Sequence, residues 1–269
     1  MKAKVLIIQF PGVNCEYESL RAVEAVGLAG EIRRWNDARA AVREAAAVIV
    51  PGGWSYQDRI RAGVVAAKDG VMEEVAEAAA RGVPVIGICN GAQILVESGI
   101  VPGFEPGRVE VALAPNAMTG RRGYYCAWVH VRRAPARCLF TEDLPDEPVP
   151  ITLAHAEGRF VTSDERVRAR LEAGEGVALV YCTPGGGPAG AFPQNPNGST
   201  LAIAALTNPA GNAMAVMPHP ERAGWVHQVP RYVGGRWGGA RRRDATTGDL
   251  FAAGPGMAIF TALARAVRS

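Results

Sequence analysis

Cysteine pairs, lysine and long apolar runs are all scarce in this chain of 269 residues, and the missing cysteine pairs and apolar runs each argue against a class of function. Five cysteines (Cys15, Cys89, Cys126, Cys138, Cys182) are scattered, odd in number, and form no C-x-x-C pair. That spacing speaks against a disulfide framework and against a zinc site built on thiolate pairs. No stretch approaches the roughly 18 consecutive apolar residues of a membrane span. The Gly185-Gly186-Gly187 run lacks a following G-K-[ST], so it reads as a plain loop and the chain has no P-loop. A net charge of +3 is too small to call for a nucleic-acid partner. Lysine occurs only as Lys2, Lys4 and Lys68, and arginine supplies the other basic side chains. A biased genome and a hot habitat would both produce that preference.

What remains is an ordinary globular composition, 48% apolar and 20% charged, in a chain long enough to bury a sizeable core. The apolar run Val5 to Phe10 is cut short by Pro11-Gly12 and then Glu16 and Glu18. It reads as a first strand rather than a signal peptide, and the expected compartment is the cytoplasm. Ala45 to Val50 and Pro84 to Ile88 are two more apolar runs, the first stopped by Pro51-Gly52-Gly53. Helical spacing marks Tyr17 to Val26 and Val71 to Ala80 between them. Such alternation predicts an α/β fold with right-handed crossovers: a mostly parallel open sheet flanked by helices. Ligands of such sheets lie beyond the carboxyl ends of the strands. The turns at Phe10-Pro11-Gly12, Pro51-Gly52-Gly53 and Cys89-Asn90-Gly91 should therefore meet in space.

The second half reads as strands at 108–115, 124–132, 149–155, 177–182, 200–206 and 213–217, consecutive and therefore expected as antiparallel additions. Tyr232 to Gly248, rich in Gly and Arg, reads as a surface loop, and Gly256 to Val267 as a closing amphipathic helix. Neither a repeat nor a linker divides the chain, so a single domain over 1–269 is expected.

The chemistry concentrates at Cys89. Val85-Ile86-Gly87-Ile88-Cys89-Asn90-Gly91 is a buried-strand pattern entering a G-x-C-x-G turn before a helix, parallel to the G-x-S-x-G nucleophile elbow. A thiol there sits at a helix N-terminus, whose dipole favours the thiolate. His219, fixed between Pro218 and Pro220, is the candidate base. Glu221, two residues on, would point to the same side of an extended segment and orient the imidazole. Cys89, His219 and Glu221 then follow the logic of the serine-hydrolase triad. Backbone N–H groups of Asn90 and Gly53 are the expected oxyanion-hole donors.

Further runs extend the pattern: Phe10 to Cys15, Gly52-Gly53-Trp54-Ser55-Tyr56 with Asp58, Arg61-Ala62-Gly63, Cys126 to Val129, His155-Ala156-Glu157-Gly158, Asn195 to Ser199, and Met217 to Arg222. Over about residues 4–224 the chain resembles the class I (triad) glutamine amidotransferases, which have a flavodoxin-like fold. Among them it is most similar to the glutaminase subunits that serve the amidine-forming synthetase of purine synthesis. The resemblance implies that Cys89 attacks the side-chain amide of L-glutamine, that His219 protonates the departing ammonia, and that water hydrolyses the thioester. Gln93 would help hold the glutamine. It also implies a large synthetase subunit that converts formylglycinamide ribonucleotide to its amidine, and a small third subunit. ATP and magnesium would belong to the partner, leaving this chain without cofactor or metal. Ala156 stands where the family usually has Gly, and Ala92 where it has a bulkier aromatic. The Arg-rich stretch at about 225–249 is an insertion relative to short members, and it bears on partner docking.

Competing readings have identifiable signatures. A DJ-1-like or peptidase-like hydrolase would carry His directly after the nucleophile, where Asn90 stands. A glutaminase for a different synthetase would lack the Phe10–Cys15 and Asn195–Ser199 runs. A catalytically dead subunit would have lost Cys89 or His219. His155-Ala156-Glu157 and His219-Pro220-Glu221 share the H-x-E of zinc deaminases, but no P-C-x-x-C accompanies them. His155 and Glu157 fit interface or structural roles near the site equally well. Cys15, Cys126, Cys138 and Cys182 read as packing residues. Arg241-Arg242-Arg243 reads as a solvated patch, or as a contact for an acidic partner surface or a phosphate.

Overall fold

The computed structural model describes residues 4–247 and 251–268. Its first half is β1 (Lys4–Gln9), α1 (Glu16–Ala25), β2 (Ala29–Arg34), α2 (Arg39–Glu44), β3 (Ala47–Val50), α3 (Val71–Ala80), β4 (Val85–Ile88) and α4 (Asn90–Glu97). The second half holds β5 (Ala112–Ala114), β6 (Tyr125–Arg133), β7 (Val149–His155), β8 (Arg159–Val161), α5 (Glu165–Glu172), β9 (Val177–Cys182), β10 (Ile203–Thr207) and β11 (Ala213–Val216). Two helices close it, α6 (Gly235–Thr247) and α7 (Met257–Arg268). Among the described residues nine strands form one sheet in the order β2-β1-β3-β4-β11-β10-β9-β6-β7. The first five run parallel and the rest alternate antiparallel. Val5 to Ile8, Ala47 to Val50 and Val85 to Ile88 are buried residue after residue, as helix-covered parallel strands require. No helix among the described residues is long and apolar enough to cross a membrane.

Several elements depart from the sequence reading. β11 is no antiparallel addition: it lies parallel beside β4 at the centre, with all four residues fully buried. Being buried on both faces, it fits only an interior position. Residues 200–202 form a 3-10 turn with Leu201 at φ 53°, so that strand starts only at Ile203. The segment expected as a loop from Tyr232 contains α6, while its end, Gly248, lies outside the described residues together with Asp249. Ala and Arg are strong enough helix formers to offset glycines that each cost about 1 kcal/mol, and Arg236 Nε ties the helix to Glu147 Oε1 at 2.7 Å. Neither β2 nor α5 was anticipated. β2 is a partly exposed edge strand without an apolar run. α5 buries only Val167 and Leu171, and it is started by Asp164, whose carboxylate accepts the Arg166 and Val167 N–H groups. Such a cap contributes about 1 kcal/mol.

The antiparallel half curls back. His219, just past β11, donates its N–H to Thr152 of edge strand β7 at 2.8 Å. Residues 154–157 are thereby brought over the carboxyl ends of the parallel strands. Asn14 and Cys15 N–H both reach Gly52 O at 3.2 Å, so the turns after β1 and β3 do meet.

Candidate active site

The turn after β4 is built around two glycines. A methyl group on Gly91 would lie 1.8 Å from Val50 O, and one on Gly87 would lie 2.3 Å from Gly91 O. α4 therefore starts directly against the end of β3. Between them Cys89 takes φ 52°, ψ −105°, a strained conformation for a side-chain-bearing residue, worth about 1–3 kcal/mol. Its N–H is held by Val216 O at 2.8 Å, and its Sγ lies 3.5 Å from Ala154 O. Strain concentrated on one thiol is the expected mark of the elbow.

His219 Nδ1 lies 2.5 Å from Glu221 Oε1, and both residues are buried. The contact does not form in an extended segment as anticipated. Pro220 begins a 3-10 turn, Pro220–Ala223, which swings Glu221 back to the imidazole. Proline's fixed φ suits the first position of such a turn. Burial draws the His219 pKa down, but the charges of Glu221 and Cys89 push it well above the ordinary histidine value. Nε2 is buried and has no hydrogen-bond partner among the described residues. A methyl group on Gly52 would lie 2.8 Å from His219 Cε1, 3.2 Å from Cys15 Sγ and 3.4 Å from Cys89 Cβ. The three side chains thus converge on the Gly52 Cα.

Among the described residues, neither anticipated oxyanion-hole N–H is engaged in a backbone hydrogen bond. Asn90 is the first residue of α4, whose N–H has no partner within the helix. Gly53 forms an antiparallel bridge with Val13. That bridge is closed by Asn14 N–H to Gly52 O and Trp54 N–H to Gly12 O, so the Gly53 N–H takes no part in it. Gly53 lines the cleft with Cys89 and His219. Gln93 lines it too, with its side chain already engaged: Nε2 donates to Glu157 O at 2.6 Å, and Oε1 accepts from Asn90 Nδ2 at 2.8 Å.

Other cleft residues were less legible. Asp58 and Arg222 stand in the motif runs without an expected role of their own, and Tyr124 had no signal. Tyr124 stacks on Trp54 at the cleft, ring centroids 6.1 Å apart. Arg222 Nη2 donates to Cys15 Sγ at 3.0 Å. His155 is buried, with Nδ1 at 3.0 Å from Asn116 Oδ1, and burial with the His219 charge pulls its pKa down to about 3. It stands there as a neutral ring. Gly158 is required beside it, since a methyl group would lie 2.2 Å from His155 Cε1. Cys138 and Cys182 are packing thiols as expected, each pushed by burial up to about 11. Cys126 is not one: it is exposed on β6, because the outer face of that strand is only partly covered.

Among the described residues Cys15, His219 and Glu221 could each offer a ligand atom within 4.8 Å of the others. The set suits a cation poorly. His219 Nδ1 and Glu221 Oε1 hold each other, and the Arg222 guanidinium lies against Cys15.

A strained thiol, an imidazole locked to a carboxylate and two backbone amides at one sheet edge can carry out acyl transfer. On this fold, that is the class I glutamine amidotransferase type. The sequence model of the CobB/CobQ-like glutamine amidotransferase domain matches residues 2–264. Phosphoribosylformylglycinamidine synthase subunit PurQ of Methanothrix thermoacetophila is 49% identical over 236 residues, covering 85% of this chain and 89% of that one. The same subunit of Pyrococcus furiosus is 38% identical, covering 82% and 89%. A solved structure described as PurLQS from Thermotoga maritima has a chain with TM-score 0.69 and 29% identity, with 98% of both chains covered. The chain belongs to the CobB/CobQ-like glutamine amidotransferase family, in its branch of PurQ subunits.

Proposed function

We propose that this chain is the glutaminase subunit of a phosphoribosylformylglycinamidine synthase. It would release ammonia from L-glutamine for conversion of formylglycinamide ribonucleotide to formylglycinamidine ribonucleotide in purine biosynthesis. Membership of the PurQ branch supports the reaction. The single observation that carries the chemistry is the convergence of Cys89 and the His219–Glu221 pair at Gly52.

Cys89 sulfur adds to the amide carbon of glutamine, and the N–H groups of Asn90 and Gly53 take the charge that develops on its oxygen. His219 gives its Nε2 proton to the nitrogen, the C–N bond breaks, and ammonia leaves a γ-glutamyl thioester. Water then adds to the thioester, His219 accepts its proton, and glutamate leaves with the thiolate restored. Glu221 keeps Nδ1 protonated and steadies the imidazolium throughout. Gln93 helps hold the substrate by fixing the Glu157 backbone.

The ammonia passes to a large PurL-like synthetase subunit, with a small PurS-like subunit completing the complex. The Thermotoga maritima assembly named PurLQS supports this arrangement. ATP and magnesium are used in the partner, this chain needing neither, and the complex works in the cytoplasm. The test is glutamate release by the purified chain with its synthetase subunit. Release abolished by Cys89→Ala is expected; undiminished release by that variant, or none from the wild-type complex, refutes the proposal.

A further inference from the structure

Two thiols share the cleft, and the glutaminase chemistry uses only one of them. Cys15 and Cys89 are both buried and both line it. A methyl group on Gly52 would lie 3.2 Å from Cys15 Sγ and 3.4 Å from Cys89 Cβ, so glycine leaves the space between the two side chains open. Cys15 N–H donates to Gly52 O at 3.2 Å, which holds the turn after β1 beside that space.

Cys15 is not surrounded as a packing thiol is. Cys138, which is one, meets Met214 Sδ at 3.7 Å. Cys15 Sγ instead accepts from Arg222 Nη2 at 3.0 Å, and a His219 ring nitrogen lies within 4.8 Å of it. Burial raises the Cys15 pKa, and His219 and Arg222 pull against that rise. A cation beside a thiol stabilises the negative charge on its sulfur, which is what an attacking sulfur needs. Cys89, strained at φ 52° and facing the cleft, is the sulfur that a small reagent meets first.

We propose that Cys15 is the resolving partner of Cys89: a hydroperoxide entering the cleft oxidises Cys89, and Cys15 then closes a reversible Cys15–Cys89 disulfide. Cys89 sulfur attacks the terminal oxygen of the hydroperoxide, and the O–O bond breaks. Sulfur is oxidised to the sulfenic acid, and the peroxide is reduced to an alcohol or water that leaves with a proton from His219. Cys15 sulfur then attacks Cys89 sulfur. The S–O bond breaks, the S–S bond forms, and water leaves with the Cys15 proton. A disulfide needs Cβ atoms about 3.5–4.5 Å apart, so closure draws the turn after β1 toward the elbow across the space at Gly52. The bond silences the nucleophile and shields it from sulfinic acid, which thiols do not reverse.

The complex with the synthetase subunit is treated with hydrogen peroxide, alkylated under denaturing conditions, digested and mapped by mass spectrometry. A cross-linked Cys15–Cys89 peptide is expected, and that readout does not depend on the glutaminase reading. Glutamate release, scaled to each protein's own untreated value, should fall in wild type and return with dithiothreitol. Cys15→Ser should regain at least about tenfold less, with its Cys89 carried on to sulfinic acid. If Cys15→Ser does not fold, the wild-type peptide map decides alone. A wild-type Cys89 that resists peroxide, ends as sulfinic acid or is joined to Cys126 overturns the proposal, as does equal recovery in the variant. Glutamate release absent before treatment overturns the glutaminase reading instead, and the peptide map still decides on the thiol pair.

Discussion

Replacing Glu221 by Gln removes one charge from the most buried part of the site and leaves its shape almost unchanged. Glu221 is fully buried, with Oε1 2.5 Å from His219 Nδ1. The amide oxygen of Gln can still accept the Nδ1–H bond, so the ring stays oriented. What disappears is the attraction between carboxylate and imidazolium. With charge centres about 4 Å apart and an effective dielectric of about 20, it amounts to roughly 4 kcal/mol. At 1.36 kcal/mol per decade, that is about a thousandfold in rate. The loss should fall on kcat, since the imidazolium is required in the transition state rather than for binding. Without Glu221 burial dominates, and the His219 pKa falls from its raised value, so the acid that protonates ammonia is no longer available near neutral pH. Glutamate release by the complex, with folding checked by thermal denaturation, measures the effect. A folded Glu221→Gln variant within tenfold of wild-type kcat would refute the charge argument and leave Glu221 a spacer.

Three further outcomes follow from individual contacts. Gly91→Ala would set a carbon 1.8 Å from Val50 O, which is backbone and cannot turn aside; stability should fall by about 3 kcal/mol and activity by more than a hundredfold, measured by urea unfolding and glutamate release. His155 is held neutral with its pKa down at about 3. The unfolded chain therefore takes up a proton below about pH 6.5 that the folded chain refuses, and stability drops by up to about 1.4 kcal/mol per pH unit as pH falls toward 3. His155→Gln should remove that part of the slope, and equal slopes in urea titrations between pH 7.5 and 4.5 would contradict the assignment. Asp58, raised from 3.8 to about 6, is the opposite case: the folded chain holds a proton that the unfolded chain has lost, so its contribution falls as pH rises through that window. Asp58→Asn should accordingly raise Tm at pH 7.5 and give no advantage near pH 3.5; a lower Tm at pH 7.5 would contradict the unfavourable burial of that carboxylate beside Glu157.

Wherever function depends on a short stretch of backbone, the residues themselves were legible. The elbow at Cys89 demands Gly91 because no side chain fits between β3 and α4, and Gly87 because none fits between β4 and α4. His219 and Glu221 are neighbours in the chain, so their contact was within reach of a local reading, though the 3-10 turn that makes it was not foreseen. The meeting of the turns after β1, β3 and β4 followed from parallel strands alone, which all end at one edge. Helix α6 was missed because glycine content suggested a loop, while tertiary contacts such as Arg236 with Glu147 stabilise it.

The rest depends on how distant segments are folded together. Nothing local tells that β11 lies parallel beside β4, since antiparallel and parallel strands buried on both faces share one apolar pattern. The curl that brings β7 back to His219, and with it Ala154, His155 and Glu157 over the thiol, comes from pairings more than sixty residues apart in the chain. Asp58 and Glu157 come to line one cleft only once that curl has closed. Local sterics determined the nucleophile and its base; long-range strand pairing decided what surrounds them, because only that pairing brings their distant neighbours into the cleft.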